Sequence, residues 1–117
     1  MALYNYNKEE NYKLKTKDGE MYISIISGNG QGGSYLILKD QTPIGANQKT
    51  FIGKASENVG KTIQIIVTIQ DKLKQTNWTG VHLIVNEGDE SNVYSYAEEL
   101  PADKDIACYN ITVKIKK

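Results

Sequence analysis

The chain has 117 residues, 14 basic and 14 acidic side chains, and 39% apolar residues. This length and composition are typical of one globular domain that buries a single core. With one Cys and one His, the chain can form neither an internal disulfide framework nor a four-ligand zinc site. We therefore expect a fold held together by its core, without a cofactor.

Charge and hydropathy also limit the expected partners. The formal net charge is zero, and all the basic side chains are Lys, so the bidentate Arg contacts that recognise phosphate are missing. No apolar run approaches the roughly 20 residues that cross a bilayer, and the N-terminal residues do not resemble a secretion signal. We expect no nucleic-acid or membrane partner, and a cytoplasmic protein or one exported by a leaderless specialised route.

The first alternating segments predict a hairpin. Residues from Tyr12 to Lys17 alternate between two faces, as a strand with one wet face does. Asp18-Gly19 is a favourable two-residue turn, and Glu20 to Ser27 forms the predicted return strand. Residues 1–11 are polar, with Tyr4 and Tyr6 at strand spacing, and are predicted to be a loose arm or an added edge strand.

Strand patterns continue to the C-terminus. Within Lys61–Gln70, apolar residues occupy every second position and predict a strand in the core. The segment from Asp71 to Gly80 has the only potential helical turn, but its composition favours an irregular connection. The remaining predicted strands are Ser34–Lys39, Lys49–Lys54, Val81–Asn86, Asn92–Tyr96 and Ile106–Lys116.

Seven to eight short strands with frequent turn signals indicate an all-β fold. We predict a single-domain antiparallel β-sandwich over residues 12–117, immunoglobulin-like in its strand number, with a small β-barrel as the alternative. No internal repeat or linker divides the chain.

The sequence contains one formal nucleotide-binding pattern, GxGxxG, from Gly28 to Gly33. Phosphate binding by this pattern requires a helix N-terminus after the glycines. Here the following residues, Ser34 to Leu38, have the pattern of a strand. A hairpin loop is therefore the favoured interpretation.

The reactive and acidic residues give only weak indications of a catalytic or metal-binding site. His82 and Cys108 could form a base and nucleophile pair, but both fall inside predicted strands with no local motif, so no catalytic residue is assigned. Glu87, Asp89 and Glu90 lie in a predicted loop and are the metal candidates, because calcium prefers oxygen ligands from such loops. Their spacing does not match an EF-hand.

Aromatic residues are the most suggestive feature, with eight Tyr and one Trp in the chain. Such side chains meet apolar and polar partners at once and are enriched at binding surfaces. In small β domains they also fill the boundary between core and surface. The candidate contact residues are Trp78 and Asn77 in a predicted loop, and the same-face pairs Tyr94 with Tyr96 and Tyr4 with Tyr6.

These patterns favour a non-catalytic module that works through protein contacts. It could self-assemble into a homo-oligomer or serve as an accessory subunit of a larger bacterial or phage assembly, with strand addition at an edge, for example by residues 1–11, as the mechanism. The alternative hypothesis is a carbohydrate- or calcium-dependent ligand-binding module that uses Trp78, Asn77 and the acidic loops. Enzymatic activity is the third hypothesis, because the sequence alone does not show two carboxylates at the separation that acid–base catalysis requires.

Overall fold

The computed structural model describes residues 2–28, 32–71 and 76–117. These residues form a five-stranded and a four-stranded sheet packed face to face, so the predicted all-β sandwich is confirmed and the barrel alternative is wrong. The elements are β1 (Leu3–Lys13), β2 (Glu20–Gly28), β3 (Gly33–Lys39), β4 (Thr42–Ala46), β5 (Thr50–Lys54), α1 (Ala55–Asn58), β6 (Thr62–Gln70), β7 (Trp78–Glu87), β8 (Glu90–Glu99) and β9 (Ile106–Lys116).

The strand order is β1-β9-β6-β3-β4 in the five-stranded sheet and β5-β2-β7-β8 in the four-stranded sheet. Every pairing is antiparallel except that of β1 with β9, which is parallel. The predicted antiparallel arrangement is therefore correct for all strands except the first.

The core lies between the inner faces of the two sheets. Strand β6 is the middle strand of its sheet, and its predicted apolar face is fully buried at Ile63, Ile65, Val67 and Ile69. The predicted dry face of β9, from Ala107 to Ile115, is buried as well. Strict alternation places every second side chain in this layer, so burial of apolar area fixes which face of each strand points inward.

The hairpin predicted around Asp18-Gly19 is wrong. Strand β1 belongs to the five-stranded sheet and β2 to the four-stranded sheet, so the chain crosses between the sheets here. The chain is closely packed at Gly19, where an added Cβ would lie 2.5 Å from Oγ1 of Thr16 and 3.1 Å from the backbone nitrogen of Gly88. Alternation of apolar and polar residues shows that a segment is a strand, but it does not identify the strand with which that segment pairs. Two strands joined by a hairpin and two strands in different sheets have the same two-residue period.

Residues near the N-terminus form an edge strand rather than a loose arm. Strand β1 runs from Leu3 to Lys13 and pairs with β9 at eleven successive positions without a register break. The predicted strand from Tyr12 to Lys17 therefore begins and ends too late. Tyr12 is the last buried side chain of β1.

Strand β4 is missing from the sequence-based prediction, which ended the third strand at Asp40-Gln41-Thr42-Pro43. Asp40 and Gln41 instead form a two-residue hairpin turn between β3 and β4, with φ values of 47° and 73°. Both positive values match the twist of a hairpin, although neither residue is a glycine. Pro43 is accommodated because β4 is an edge strand.

The remaining connections are short. Helix α1 has four residues, and no helix in the described ranges is long and apolar enough to cross a membrane. Residues 29–31 of the glycine pattern and residues 72–75 of the segment with a potential helical turn lie outside the described residues. The pattern is followed by strand β3, as predicted.

Two adjacent isoleucines on β6 test which face of this strand packs in the core. Ile65 is fully buried between the sheets, whereas Ile66 points outward and is 36% exposed. Ile65→Ala leaves a cavity in the core and is expected to lower the free energy of unfolding by about 2–5 kcal/mol in urea denaturation. Ile66→Ala, the matched control, should cost about 1 kcal/mol or less. Equal losses for both variants would contradict the assigned faces.

Candidate functional site: the flank formed by β1 and β8

Strands β1 and β8 are the terminal strands of their sheets and lie opposite each other on one side of the sandwich, which we call the flank. Their inward side chains meet across the gap between the sheets. Nζ of Lys8 lies 2.7 Å from Oε2 of Glu98, and the Tyr96 hydroxyl donates to the Glu10 carboxylate. Polar contacts therefore join the sheets here, whereas apolar side chains join them in the centre.

The four candidate tyrosines are all part of this arrangement. Tyr4, Tyr6, Tyr94 and Tyr96 are partly buried and pack against the core. The ring of Tyr6 lies 5.5 Å from that of the fully buried Tyr109. Burial, together with the hydrogen bond and negative charge of Glu10, raises the pKa of Tyr96 well above its ordinary value. The tyrosines thus fill the boundary between core and solvent, with their rings turned inward.

One end of the flank is organised by Glu87, the last residue of β7, whose side chain is completely buried. Its Oε1 accepts a hydrogen bond of 2.7 Å from the Tyr12 hydroxyl, and its Oε2 accepts bonds from the amide and hydroxyl of Thr16, at 2.6 and 2.5 Å. The amide of Lys15 lies 3.1 and 3.0 Å from the two oxygens. This carboxylate therefore connects the end of β1, the crossing to β2 and the four-stranded sheet.

These donors also set the ionisation of Glu87. Burial by itself raises the pKa of a carboxyl group, but the hydrogen bonds from Thr16, Tyr12 and Lys15 favour the charged form and lower the pKa of Glu87 below its ordinary 4.5. The pKa of Tyr12 is raised by burial and by its bond to this carboxylate. Glu87 is thus a buried, charged acceptor with its lone pairs directed at protein donors.

The three metal candidates are not equivalent. Glu87 is buried and hydrogen bonded, whereas Asp89 and Glu90 are exposed beside the tight turn that joins β7 to β8. Oε2 of Glu90 lies 3.7 Å from Nζ of Lys15. Within residues 2–28, 32–71 and 76–117, no three Asp, Glu, His or Cys side chains form a group that could hold a metal ion.

The candidates Trp78 and Asn77 lie at the far end of β7. Trp78 was predicted to lie in a loop, but it begins β7 and is 45% exposed. Asn77 is directed toward acidic side chains, with its amide nitrogen, when oriented as a donor, 2.7 Å from Oδ2 of Asp71 and 2.6 Å from Oδ1 of Asp103. The Trp78 ring is therefore partly exposed to solvent, and Asn77 is held by Asp71 at the end of β6 and by Asp103 in the connection between β8 and β9.

His82 and Cys108 are far from forming a pair. His82 is on the outer face of the four-stranded sheet, where its Nδ1 lies 2.8 Å from Oγ of Ser95. Cys108 pairs with Asn5 and Thr68 in the five-stranded sheet, on the face that points away from the core. The two side chains thus lie on opposite outer surfaces of the sandwich.

The open edges differ sharply between the two sides of the molecule. On the flank, β1 and β8 have eleven and ten residues and pair with their neighbours without a register break. On the other side, β4 and β5 have five residues each, and the register of both pairings shifts. Short and bulged edges resist strand addition, whereas long regular edges permit it.

Sequence reasoning missed the buried carboxylate and left the first strand open between a loose arm and an edge strand. A signal for Glu87 was present, because it continues the two-residue spacing of Val81, Leu83 and Val85 on the dry face of β7. The turn-like sequence after it led to its assignment to a loop. The edge position of β8 could not be identified, because a strand order is needed to know which strands are terminal.

Comparison of the chain with protein-family models, curated proteins and solved structures gave no match.

Replacing Glu87 with Gln tests its role in the flank. The amide keeps the shape but replaces one acceptor oxygen with an NH2 group, so at least one of the donors on Tyr12, Lys15 and Thr16 loses its acceptor, and we expect a loss of about 1–3 kcal/mol in the free energy of unfolding at neutral pH. Glu90→Gln, at an exposed carboxylate on the adjacent strand, should change it by about 0.5 kcal/mol or less.

The difference in stability between wild type and Glu87→Gln is expected to depend on pH. Because the folded-state pKa of Glu87 is lowered, its contribution is present above the unfolded value near 4.5 and is lost as the pH falls through the folded value. Urea denaturation between neutral and acidic pH should therefore show the difference between wild type and Glu87→Gln shrinking below pH 4.5. A difference that stays constant into the acidic range would show that the charge of Glu87 is not responsible.

Proposed function

We propose that the chain is a non-catalytic protein-interaction module that binds an extended segment of a protein partner along the open edge of β1. It acts as a self-assembling unit or as an accessory subunit of a larger assembly. The observation that carries this proposal is the length and regularity of the β1 edge, with eleven residues paired on one side only.

Backbone hydrogen bonding supplies the affinity in this type of recognition. An edge strand has a row of N–H and C=O groups directed away from its sheet, and an added strand satisfies them. The edge of β1 is held in an extended form by β9 along its whole length and by the contacts of Tyr12 with Glu87 at its end. A preorganised edge lowers the conformational entropy lost on binding.

Side chains on β1 supply selectivity. The outward side chains of the strand include an apolar residue near its start, Leu3, and charges of both signs farther along, at Glu9 and Lys13. Mixed charges oppose indiscriminate edge-to-edge association, because a strand with the wrong pattern places like charges opposite each other. They favour a partner segment whose charges complement those of β1.

The two edges of the five-stranded sheet provide a matched test. Asn7→Lys introduces a charge in the middle of the exposed side of β1, and Thr42→Lys introduces the same charge on the exposed β4 edge. Each tagged protein is used as bait in an extract of the source cells, and bound proteins are quantified by mass spectrometry. We expect Asn7→Lys to reduce partner recovery at least about tenfold and Thr42→Lys to leave it near wild type, since edge lysines oppose strand addition.

Hydrogen exchange identifies the mechanism once a partner is recovered. Amides of β1 that face away from β9 should exchange more slowly in the complex than in the free protein, because an added strand accepts their hydrogens. Equal recovery with Asn7→Lys and wild type, or unchanged exchange in β1, would disprove strand addition at this edge.

A carbohydrate-binding role is the second candidate, and the exposure of Trp78 favours it. A half-exposed indole at a strand end can stack on the apolar face of a sugar ring. If this role is correct, Trp78→Ala should abolish a glycan-array signal that Phe51→Ala, the replacement of another exposed aromatic residue, leaves intact. Glycan binding unchanged in Trp78→Ala would remove this residue as the platform.

A further inference from the structure

The open edge of β1 presents the backbone groups of alternate residues. The amide of Ile106 donates to the carbonyl of Ala2, and the amide of Leu14 donates to the carbonyl of Lys116, each at 2.8 Å. In a parallel pair, one residue directs both its N–H and its C=O at the neighbouring strand, and the next residue directs both away. The even-numbered residues of β1 therefore bond to β9. The groups that face the open edge belong to the odd-numbered residues, which are Leu3, Asn5, Asn7, Glu9, Asn11 and Lys13.

The side chains of β1 alternate in the same way. Those of the odd-numbered residues point to the exposed outer face of the five-stranded sheet, and those of the even-numbered residues point toward the flank. An added strand must therefore match the open backbone groups and both rows of side chains at once. The charges that it meets are Glu9 and Lys13 on the outer side and Lys8 and Glu10 on the flank side.

We infer that the segment added at this edge is the β1 strand of a second copy of this chain. This pairing rests on the proposed function and names the partner that the edge binds. A twofold axis perpendicular to the sheet runs the two β1 strands antiparallel and joins the five-stranded sheets of both copies into one. Zero net charge removes the long-range repulsion that opposes association of identical chains.

The direction of the backbone groups limits the register of this pair. Odd-numbered residues must lie opposite odd-numbered residues, because only they direct hydrogen-bonding groups to the open edge. The twofold axis therefore passes through a residue and not between two residues. An axis at Lys8, Glu9 or Glu10 would place that charged side chain opposite its own copy, which is unfavourable.

An axis at Asn7 avoids every like-charge pair. Asn7 then lies opposite its own copy, and the amide of Asn5 lies opposite the carboxylate of Glu9 in the second copy, to which it can donate. On the flank side, the ammonium group of Lys8 lies opposite the ring of Tyr6 in the second copy, a favourable cation–π combination. This register is therefore complementary in its charges as well as in its backbone.

The number of backbone hydrogen bonds is sufficient for a specific contact. The odd-numbered residues from Leu3 to Asn11 of both copies form about ten of them, the number found across a typical specific interface. Axes nearer either end of β1 pair fewer residues. Main-chain bonds supply the affinity in strand addition, so we expect a dimer that depends on protein concentration.

The other sheet leaves room for this dimer. Contacts across the flank place part of β8 opposite the half of β1 that follows Asn7. They join Lys8 to Glu98, Glu10 to Tyr96 and Tyr12 to Asn92. A twofold axis at Asn7 therefore places the two β8 strands on opposite sides of the axis along the strand direction, so that they do not collide.

Two identical substitutions on one edge should act in opposite directions. In sedimentation equilibrium up to roughly 1 mM protein, the wild-type mass should rise reversibly from that of a monomer toward that of a dimer. Asn7→Lys brings two ammonium groups together at the axis and should weaken the dimer at least about tenfold. Asn5→Lys places an ammonium group opposite Glu9 of the second copy and should tighten it about two- to tenfold. Thr42→Lys, on the β4 edge, should leave it unchanged.

Equal weakening by Asn5→Lys and Asn7→Lys would contradict the register, and a dimer lost only in Thr42→Lys would assign the contact to β4. A wild-type chain that stays monomeric throughout would overturn the inference. The proposed function fails with it only if Asn7→Lys also leaves the recovery of other proteins from the cell extract unchanged.

Cysteine cross-linking tests the axis directly, in a Cys108→Ser background that removes the native thiol. Asn7→Cys should form a disulfide-linked dimer on mild oxidation, because the Cα atoms of a hydrogen-bonded antiparallel pair are about 5.5 Å apart, within disulfide range. Asn11→Cys is the matched control, since its two copies would lie about 27 Å apart. Equal cross-linking of both variants on non-reducing gels would disprove an axis at Asn7.

Hydrogen exchange of the wild-type chain needs no variant that must fold. Residue-resolved exchange is compared by NMR at low and high protein concentration. The amides of Asn5, Asn7 and Glu9 should slow as the concentration rises, because the second copy accepts their hydrogens. Those of Tyr6 and Lys8 already bond to β9 and should change little. Exchange at the odd-numbered amides that does not depend on concentration would contradict the pairing.

Discussion

The buried carboxylate of Glu87 holds the first strand in place. Two sheets that share only apolar contacts can slide, because the hydrophobic effect has no direction. Glu87 adds directed bonds from the end of β1 and from the crossing to β2, and all of them end on β7 of the opposite sheet. A buried charge without these donors would be strongly unfavourable, so the contacts must form together. Pairing with β9 sets the register of β1, and this cluster fixes the end of β1 against the opposite sheet.

The two sides of the sandwich are asymmetric because their edge strands differ in length and regularity. On one side the edges are short and their registers shift. On the flank both edges are long and regular, and polar side chains join the sheets behind them. Because unpaired backbone groups attract other strands, a long regular edge needs either protection or a partner. The mixed charges of β1 provide selectivity without closing the edge.

The chemistry of the β1 edge carries the proposed function. This edge has backbone hydrogen-bonding groups and charges of both signs, which suit one extended segment with a complementary pattern.

The sequence by itself determined most of the strands, although not β4 or the bounds of β1, and the faces that they bury. Alternation at β6, β7 and β9 predicted their buried residues, because a period of two leaves no other way to bury Ile63, Leu83 or Ile111. Zero net charge and the absence of Arg likewise limited the partners that the composition allows us to expect. The tyrosine pairs were found by the same spacing, although the sequence did not show that their rings turn inward.

Tertiary structure alone decided which strands are neighbours. The segment around Gly19 has the composition of a hairpin and yet crosses between sheets, because pairing depends on contacts far away in the sequence, such as that of Thr16 with Glu87. The edge position of β8 and the outer faces of the sheets exist only once strand order is fixed, so neither has a local sequence signature, whereas an edge strand at residues 1–11 was one of the two alternatives that the sequence allowed. Local periodicity determines which face of its strand each side chain occupies. Only the packing of the two sheets determines which residues that side chain contacts.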